Sequence, residues 1–325
     1  MASHNLKSGW YKLVHFALVL VLAVPFLAQA YTGITIVLSA PTQTNLEFVQ
    51  YFKEELITTK NHQLKVTVID LASANTLAVA ENSELVIALG VKALTAASKL
   101  KHSTPVFGVL TPLPTFNALL IASRRDLGNF SAIVLDQPYS RQMALIKTVL
   151  PEAKTIGVLL GSTSARYAEN IKEEGEKNAL NISLESVFQA DELIPKLRKV
   201  LDSNDALLAI PDAIIYNRET AQPILLTSYR YQKPVIGYSQ SYVRAGALAA
   251  VYSSTKHLAK QAAEIAIKTQ QAPGLLPPPQ TPKYFSVQVN QQVARSLNIP
   301  LMTEEEIYKK LLQLEIPTHL DEVEK

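Results

Sequence analysis

The sequence predicts an α/β protein made of two doubly wound parallel-sheet lobes. Three observations predict it. Short apolar runs alternate with amphipathic helical segments along nearly the whole chain. The alternation restarts at "TIGVLLG" (155–161), just after Pro151. The two series also share a strand opening, "TPVFGVL" (104–110) and "KPVIGYS" (233–239), each preceded by strand, loop and helix. Such alternation builds parallel sheets covered on both faces. One long α/β sheet is the alternative that the same pattern allows.

The elements follow in order. "GITIVLSA" (33–40) is a short apolar run and reads as a strand, followed by a helix over Leu46–Thr58. "LKVTVIDL" (64–71), "ELVIALG" (84–90) and "TPVFGVLTP" (104–112) are strands, with the helix "VKALTAASKL" (91–100) between the last two. After the strand "SAIVLDQP" (131–138), a helix runs near Ser140–Leu150 and Pro151 ends it. The second series holds the strands "TIGVLLG", "ISLESVF" (182–188), "ALLAIPD" (206–212) and "PVIGYSQ" (234–240). Helices over Arg166–Ala179, Asp191–Leu201 and Arg218–Tyr231 connect them. The proline-rich "APGLLPPPQTP" (272–282) is a linker or rigid loop. "KYFSVQVN" (283–290) is a late strand, and "TEEEIYKKLLQLE" (303–315) is a helix opened by the Thr303/Glu306 capping box.

A chain of 325 residues, 48% of them hydrophobic, holds one large or two medium domains. Residues 1–30 stand apart from that core. Lys7 and Lys12 give a basic start, Phe16–Leu27 is almost wholly apolar, and Ala28-Gln29-Ala30 has the small-x-small form of a signal-peptidase site. A signal peptide over 1–30, cleaved after Ala30, is expected. Pro25 interrupts the apolar run, which is short of the roughly 20 residues of a spanning helix; an uncleaved anchor is the alternative. Lys+Arg number 31 against 28 Asp+Glu, and two of the basic residues leave with the signal, so the remainder is close to neutral. With no basic block, nucleic acid is not an expected partner. Cysteine is absent, which excludes disulfides, thiol catalysis, cysteine-zinc sites and a lipidated N-terminal cysteine. An exported, unlipidated protein of the periplasm is expected.

Ligands of open α/β sheets sit at the carboxyl ends of the strands. The loops there are "SAPTQ" (39–43), "GVKA" (90–93), "TPLP" (111–114), "GSTSARY" (161–167), "PDAIIYN" (211–217) and "YSQSY" (238–242). They are rich in hydroxyl groups and tyrosine, and Lys92, Arg166 and Asp212 are their only charged residues. Position predicts that Ser39, Ser162, Thr163, Asp212, Tyr216, Ser239, Gln240, Tyr242 and Tyr252 converge on one interlobe pocket. Ser162 and Thr163 read equally as helix caps or as groups that hold a ligand oxygen. Six of the 13 tyrosines fall between Tyr216 and Tyr252, where a phenol can stack on a ligand and still hydrogen-bond, or can simply pack.

Catalytic signatures are missing: there is no G-x-S-x-G, H-E-x-x-H, Walker or G-x-G-x-x-G motif. Ser253 and Lys256 make an S-x-x-K match without its companion motifs. His62, His102, His257 and His319 are scattered, so no metal site is expected.

The order of "PEAKTIGVLLGSTSARY" (151–167), "PVIGYSQSYVRAGALAAVYSS" (234–254) and "FSVQVNQQVARSLNIPL" (285–301) resembles the substrate-binding proteins of ABC transporters. The likeness is to the uncharacterised-transport branch with the type 1 periplasmic-binding-protein fold, and it is clearest from Ala132 onward. It implies two lobes joined by crossings at "AIVLD" (132–136), "LAAVYSS" (248–254) and "KYFSVQ" (283–288), with "YSQSY" and "VYSS" lining the cleft between them. Lobe 1 would hold 31–134 and 250–281, and lobe 2 would hold 135–249 and 282–325. The resemblance further implies a monomer that captures a small molecule by hinge closure and delivers it to an inner-membrane ABC permease, with no catalysis and no cofactor. A module of the same fold serving a sensor, and a hydrolase using Ser253, are the alternatives. Relatives often carry G-T-x-A-A, T-D-P and P-T-D-N in the cleft loops, where this chain has "GVKAL" (90–94), "LTPLP" (110–114) and "IPDAII" (210–215). The aspartate before Pro112 is missing and Asp212 is displaced by one place. An α-ammonium group needs a carboxylate partner. The ligand therefore stays open among an amino acid and a neutral, partly apolar or carboxylate-bearing solute.

Overall fold

The computed structural model describes residues 33–315, apart from 60, 62–63, 74–75, 213 and 272–274. The expected signal segment 1–30, His62 and His319 lie outside the described residues. The chain forms two separate sheets. The first is wholly parallel and runs β2-β1-β3-β4-β5, from β1 (Ile34–Leu38), β2 (Val66–Asp70), β3 (Leu85–Leu89), β4 (Val106–Thr111) and β5 (Phe130–Val134). Its connecting helices are α1 (Gln43–Thr58), α2 (Thr76–Glu81), α3 (Val91–Ala97) and α4 (Leu113–Ser123).

The inner strands read as continuous apolar runs because both of their faces are covered, whereas β2 at the edge is half-buried. Ile34, Ile36 and Leu38 of β1 pack with Phe48 and Phe52 of α1, while Val37, between them, points to the side of Leu94 and Phe116. That is the two-residue alternation of a strand between two helical layers.

The second sheet runs β11-β10-β9-β8-β6-β7 and is parallel except for its β10–β11 edge. Its strands are β6 (Thr155–Leu160), β7 (Asn181–Ser186), β8 (Ala206–Leu208), β9 (Val235–Gly237), β10 (Ala249–Tyr252) and β11 (Ser286–Val289). Helices α5 (Tyr139–Val149), α6 (Ala168–Lys177), α7 (Leu193–Ser203), α8 (Arg218–Arg230) and α9 (Gln240–Ala245) cover it, with α11 (Gln291–Ser296) and α12 (Glu304–Glu315) from the tail. The remaining helix, α10 (Thr255–Gln271), returns to the first sheet. Its Ala259, Ala262, Ala263 and Ala266 are all buried, and these small side chains seat it among the β1 and α1 residues of the first core. In each sheet the strand order reverses beside the first strand, between β1 and β3 and between β6 and β8. These reversals open the crevices in which doubly wound folds bind ligands.

Hydrogen bonds tie the chain together at and beside the three expected crossings. Ile133 and Gln280 form an isolated parallel bridge, with the Val134 amide donating to the Gln280 carbonyl at 2.9 Å. Gln137 Nε2 donates to Ser253 Oγ at 2.9 Å, and Ser253 Oγ donates to the Tyr284 carbonyl at 2.5 Å. The buried Arg141 guanidinium donates to Gln137 Oε1 at 2.6 Å and to the Pro282 carbonyl at 2.9 Å, and it pairs with Glu315 at the end of α12. The expected change of lobe at residue 250 falls inside β10. Because β10 pairs with β9 and β11, Ala250 to Tyr252 sit with the second sheet, and the chain leaves it between Tyr252 and Thr255. Among the described residues no helix is long and apolar enough to cross a membrane.

Candidate functional site

A cavity of about 400 Å³ lies between the carboxyl ends of the two sheets, within the range typical of small-molecule sites. From the first half come Pro112, Pro114 and Thr115 at the start of α4, and Leu135 after β5. From the second half come Thr163 after β6, Pro211, Asp212 and Tyr216 after β8, and Tyr238 and Ser239 after β9. Tyr252 and Ser253 close it where the chain leaves β10.

Five of the nine residues expected at the pocket therefore line it: Thr163, Asp212, Tyr216, Ser239 and Tyr252. The other four lie elsewhere. Ser39 donates to the Leu89 carbonyl at 2.7 Å and accepts from the Ala93 amide at 2.9 Å, so it caps α3. Gly90 enters that turn at φ 84°, and a Cβ there would stand 2.9 Å from Ser39 Oγ. Ser162 is exposed on the loop beside Thr163, and Gln240 is half-buried in the first turn of α9. Tyr242 is buried on α9, packed 6.0 Å from the Tyr216 ring and 5.3 Å from Tyr238, centroid to centroid. It backs the wall instead of facing the cavity.

Asp212 is the structural centre of the second-half loops. Thr163 Oγ1 and Ser164 Oγ donate to its Oδ2 at 2.9 and 2.7 Å, and the Ile214 amide donates to Oδ1 at 2.9 Å. The carboxylate thus ties the loop after β6 to the loop after β8, across the strand reversal. Its own carbonyl accepts the Tyr216 amide at 2.7 Å, which places the Tyr216 ring. Ser239 Oγ accepts from the Tyr242 amide at 3.2 Å and so caps α9.

The tyrosines stay neutral phenols. Burial pushes Tyr216 well above the usual phenol range, with Tyr242, Tyr238 and Asp212 adding to the shift. Burial also raises Tyr238, Tyr242 and Tyr252. The Tyr216 and Tyr242 hydroxyls are buried without a well-formed hydrogen bond, although the Leu159 backbone lies near Tyr216.

Two further contacts cross between the halves or brace the site. Asp136 Oδ2 accepts from the Leu113 amide at 2.6 Å and fixes the start of α4. Burial pushes the Asp136 carboxyl up to about 6, against the lowering effect of its backbone hydrogen bonds. Asn117 Nδ2, on α4, donates to Tyr167 Oη in the turn after β6 at 2.9 Å.

The serine-nucleophile alternative finds no support in the geometry. Ser253 donates its proton to the Tyr284 carbonyl, and the Lys256 ammonium lies over the Tyr51 ring, 5.8 Å from its centroid. No group of three or more His, Cys, Asp or Glu among the described residues is placed to hold a metal ion. The lining residues outside the expected set are Pro112, Pro114, Thr115, Leu135, Pro211, Tyr238 and Ser253. Tyr238 and Ser253 fall in "YSQSY" and "VYSS", the segments that the resemblance places at the cleft, although neither is among the nine residues expected at the pocket. The prolines and Leu135 carry no chemical signal in a sequence.

The sequence profile of the ABC transporter substrate binding protein family matches residues 31–313. A "Tyrosine-binding protein" of Clostridioides difficile (strain R20291) is 22% identical over 194 residues, which are 58% of this chain and 55% of that protein. The alignment thus spans little more than half the length of that relative. Among solved structures, an ABC domain in complex with L-Trp from Streptococcus pneumonia is 19% identical, with a TM-score of 0.57 over 85% of this chain and 98% of that one. A ligand-free, open substrate-binding protein with adhesive properties from Clostridium difficile is 17% identical, with a TM-score of 0.66 over 84% and 96%. At such identities the structural likeness shows the fold, and it is the fold found here in two parallel sheets with a cavity between them. The chain belongs to the ABC transporter substrate-binding protein family, with the type 1 periplasmic-binding-protein fold.

Proposed function

We propose that this protein is the extracytoplasmic receptor of an ABC importer, binding one small molecule between its lobes and passing it to an inner-membrane permease. The cavity carries the reading. It is bounded by loops from both sheets and floored by the crossings, so a guest touches both halves at once. A solute that contacts both lobes stabilises the arrangement in which they approach, and closure follows from that difference in affinity. Lobe 1 comprises 31–134 and α10, and lobe 2 comprises 135 through β10 together with the tail from Pro282. The proposal includes export with cleavage after Ala30, leaving Tyr31 as the first residue of a periplasmic protein.

Native mass spectrometry of protein prepared from periplasm without refolding tests this directly. A mature chain starting at Tyr31 with one bound small molecule per monomer is expected. A chain retaining residues 1–30, or a solute that stays bound after Tyr216→Ala and Tyr252→Ala together, counts against it.

A further inference from the structure

Three hydroxyl groups of the lining, Thr163, Tyr238 and Ser253, and Ser164 beside them, have committed their protons to the protein. Thr163 and Ser164 donate to Asp212, Ser253 donates to the Tyr284 carbonyl, and Tyr238 Oη points to the Tyr216 carbonyl at 3.4 Å. A hydroxyl has one proton and two lone pairs, so these groups meet a guest as acceptors. The prolines of the lining carry no amide proton. Asp212 is the only charged residue among the described lining residues, and it has no ion-pair partner among the described residues. Three donors satisfy its hydrogen bonding, yet the negative charge remains uncompensated.

A carboxylate requires donors or a cation. Here it would meet the like charge of Asp212, with no cation among the described lining residues to offset it. An ammonium or N–H group meets the acceptors it needs, and the faces of neutral tyrosines add to the attraction for a cation. The remaining wall, built by Tyr216, Tyr238, Tyr252 and the prolines, suits a flat apolar body.

We propose that the cavity takes an aromatic amine, a solute that brings an aromatic ring and nitrogen donors and lacks a carboxylate. The inference rests on the solute-receptor reading above and narrows its ligand class.

Three probes separate the terms: tyramine, tyrosine and 3-(4-hydroxyphenyl)propionate. They share the phenol and its short linker and differ in which of the amine and the carboxylate they carry. Calorimetry on the mature protein, freed of bound solute by extensive dialysis, is expected to show tyramine binding at least about tenfold tighter than tyrosine. The propionate is expected to be weakest. Asp212→Asn places an amide donor opposite Thr163 and Ser164, which frees their protons, and it removes the charge. In that variant the preference for tyramine should shrink to within about threefold, with circular dichroism confirming the fold. Tyrosine or the propionate binding as well as tyramine overturns the proposal, as does a full tenfold preference in a folded Asp212→Asn protein. Tyrosine binding tightest overturns the amine assignment alone and leaves the receptor reading standing. No binding of any probe, with no solute found in the native preparation, overturns both.

Discussion

Gly161 sits so close to Asp212 that a Cβ built on it would stand 2.6 Å from both carboxylate oxygens. The neighbouring atoms belong to a buried charged group already held by Thr163, Ser164 and the Ile214 amide, so it has no room to retreat. Gly161→Ala should therefore push the carboxylate off at least one of these donors. Under-satisfying a buried charged acceptor costs about 1–3 kcal/mol, and a urea-unfolding midpoint that falls accordingly is expected. An unchanged midpoint would show that the two loops tolerate separation and that Asp212 is not their tie. The same residue explains why part of the site was legible. "GSTS" (161–164) and "IPD" (210–212) sit at strand ends, and position alone brings Thr163 and Asp212 to the cavity. The direction of each hydroxyl proton depends on which carboxylate folds against it, and no local pattern carries that.

At the joint between β5 and α4, Asp136 supplies a prediction with a sign. Its folded carboxyl titrates at about 6, raised from 3.8 by burial. Between those values the unfolded chain has released a proton that the folded chain keeps. The folded state binds more protons there, so stability falls as pH rises through the window. The contribution is fully present below the usual carboxylate value and lost above about 6. A shift of this size corresponds to at most about 3 kcal/mol, and about 1–2 is expected for a half-buried side chain. Asp136→Asn keeps an acceptor for the Leu113 amide and cannot titrate. The wild type should accordingly lose about 1–2 kcal/mol relative to Asp136→Asn between pH 4 and pH 7, measured by urea unfolding. Glu192 and Asp205, held below the usual carboxylate range first by the backbone amides of Phe188 and Lys154, titrate in both proteins and cancel in the difference. Parallel slopes would sink the assignment. The elements themselves were unequally legible. Strands buried on both faces announce themselves as apolar runs, and all of the expected ones form. Helix α4 was hidden by Pro112 and Pro114, which read as a loop although proline suits the start of a helix. Helix α9 has six residues, too few to show a period, so Tyr242 looked like a cleft residue when its ring belongs to the packing behind.

For the molecule as a whole, the relation between the two halves depends on more than the crossings. Helix α4 reaches from the first half toward the turn after β6, and Asn117 donates to Tyr167 there at 2.9 Å. The same helix contributes Pro114 and Thr115 to the cavity, and the loop after β6 contributes Thr163, so the bond joins two walls of one site. It can form only when those walls approach each other, and it touches no residue needed to recognise a guest. Removing it should therefore shift the balance toward a more open protein without altering the walls. A neutral hydrogen bond contributes about 0.5–1.5 kcal/mol net. If that energy favours the binding-competent arrangement, Tyr167→Phe should weaken solute affinity by about two- to tenfold. Asn117→Ala should do the same, and the double variant should lose no more than either single one, because both remove one interaction. Calorimetry with the co-purified solute reads the affinity, and small-angle scattering of the solute-free variants should show a larger radius of gyration. Additive losses would mean that each residue acts separately on the solute, and unchanged affinity with an unchanged radius would mean that the crossings alone hold the halves together.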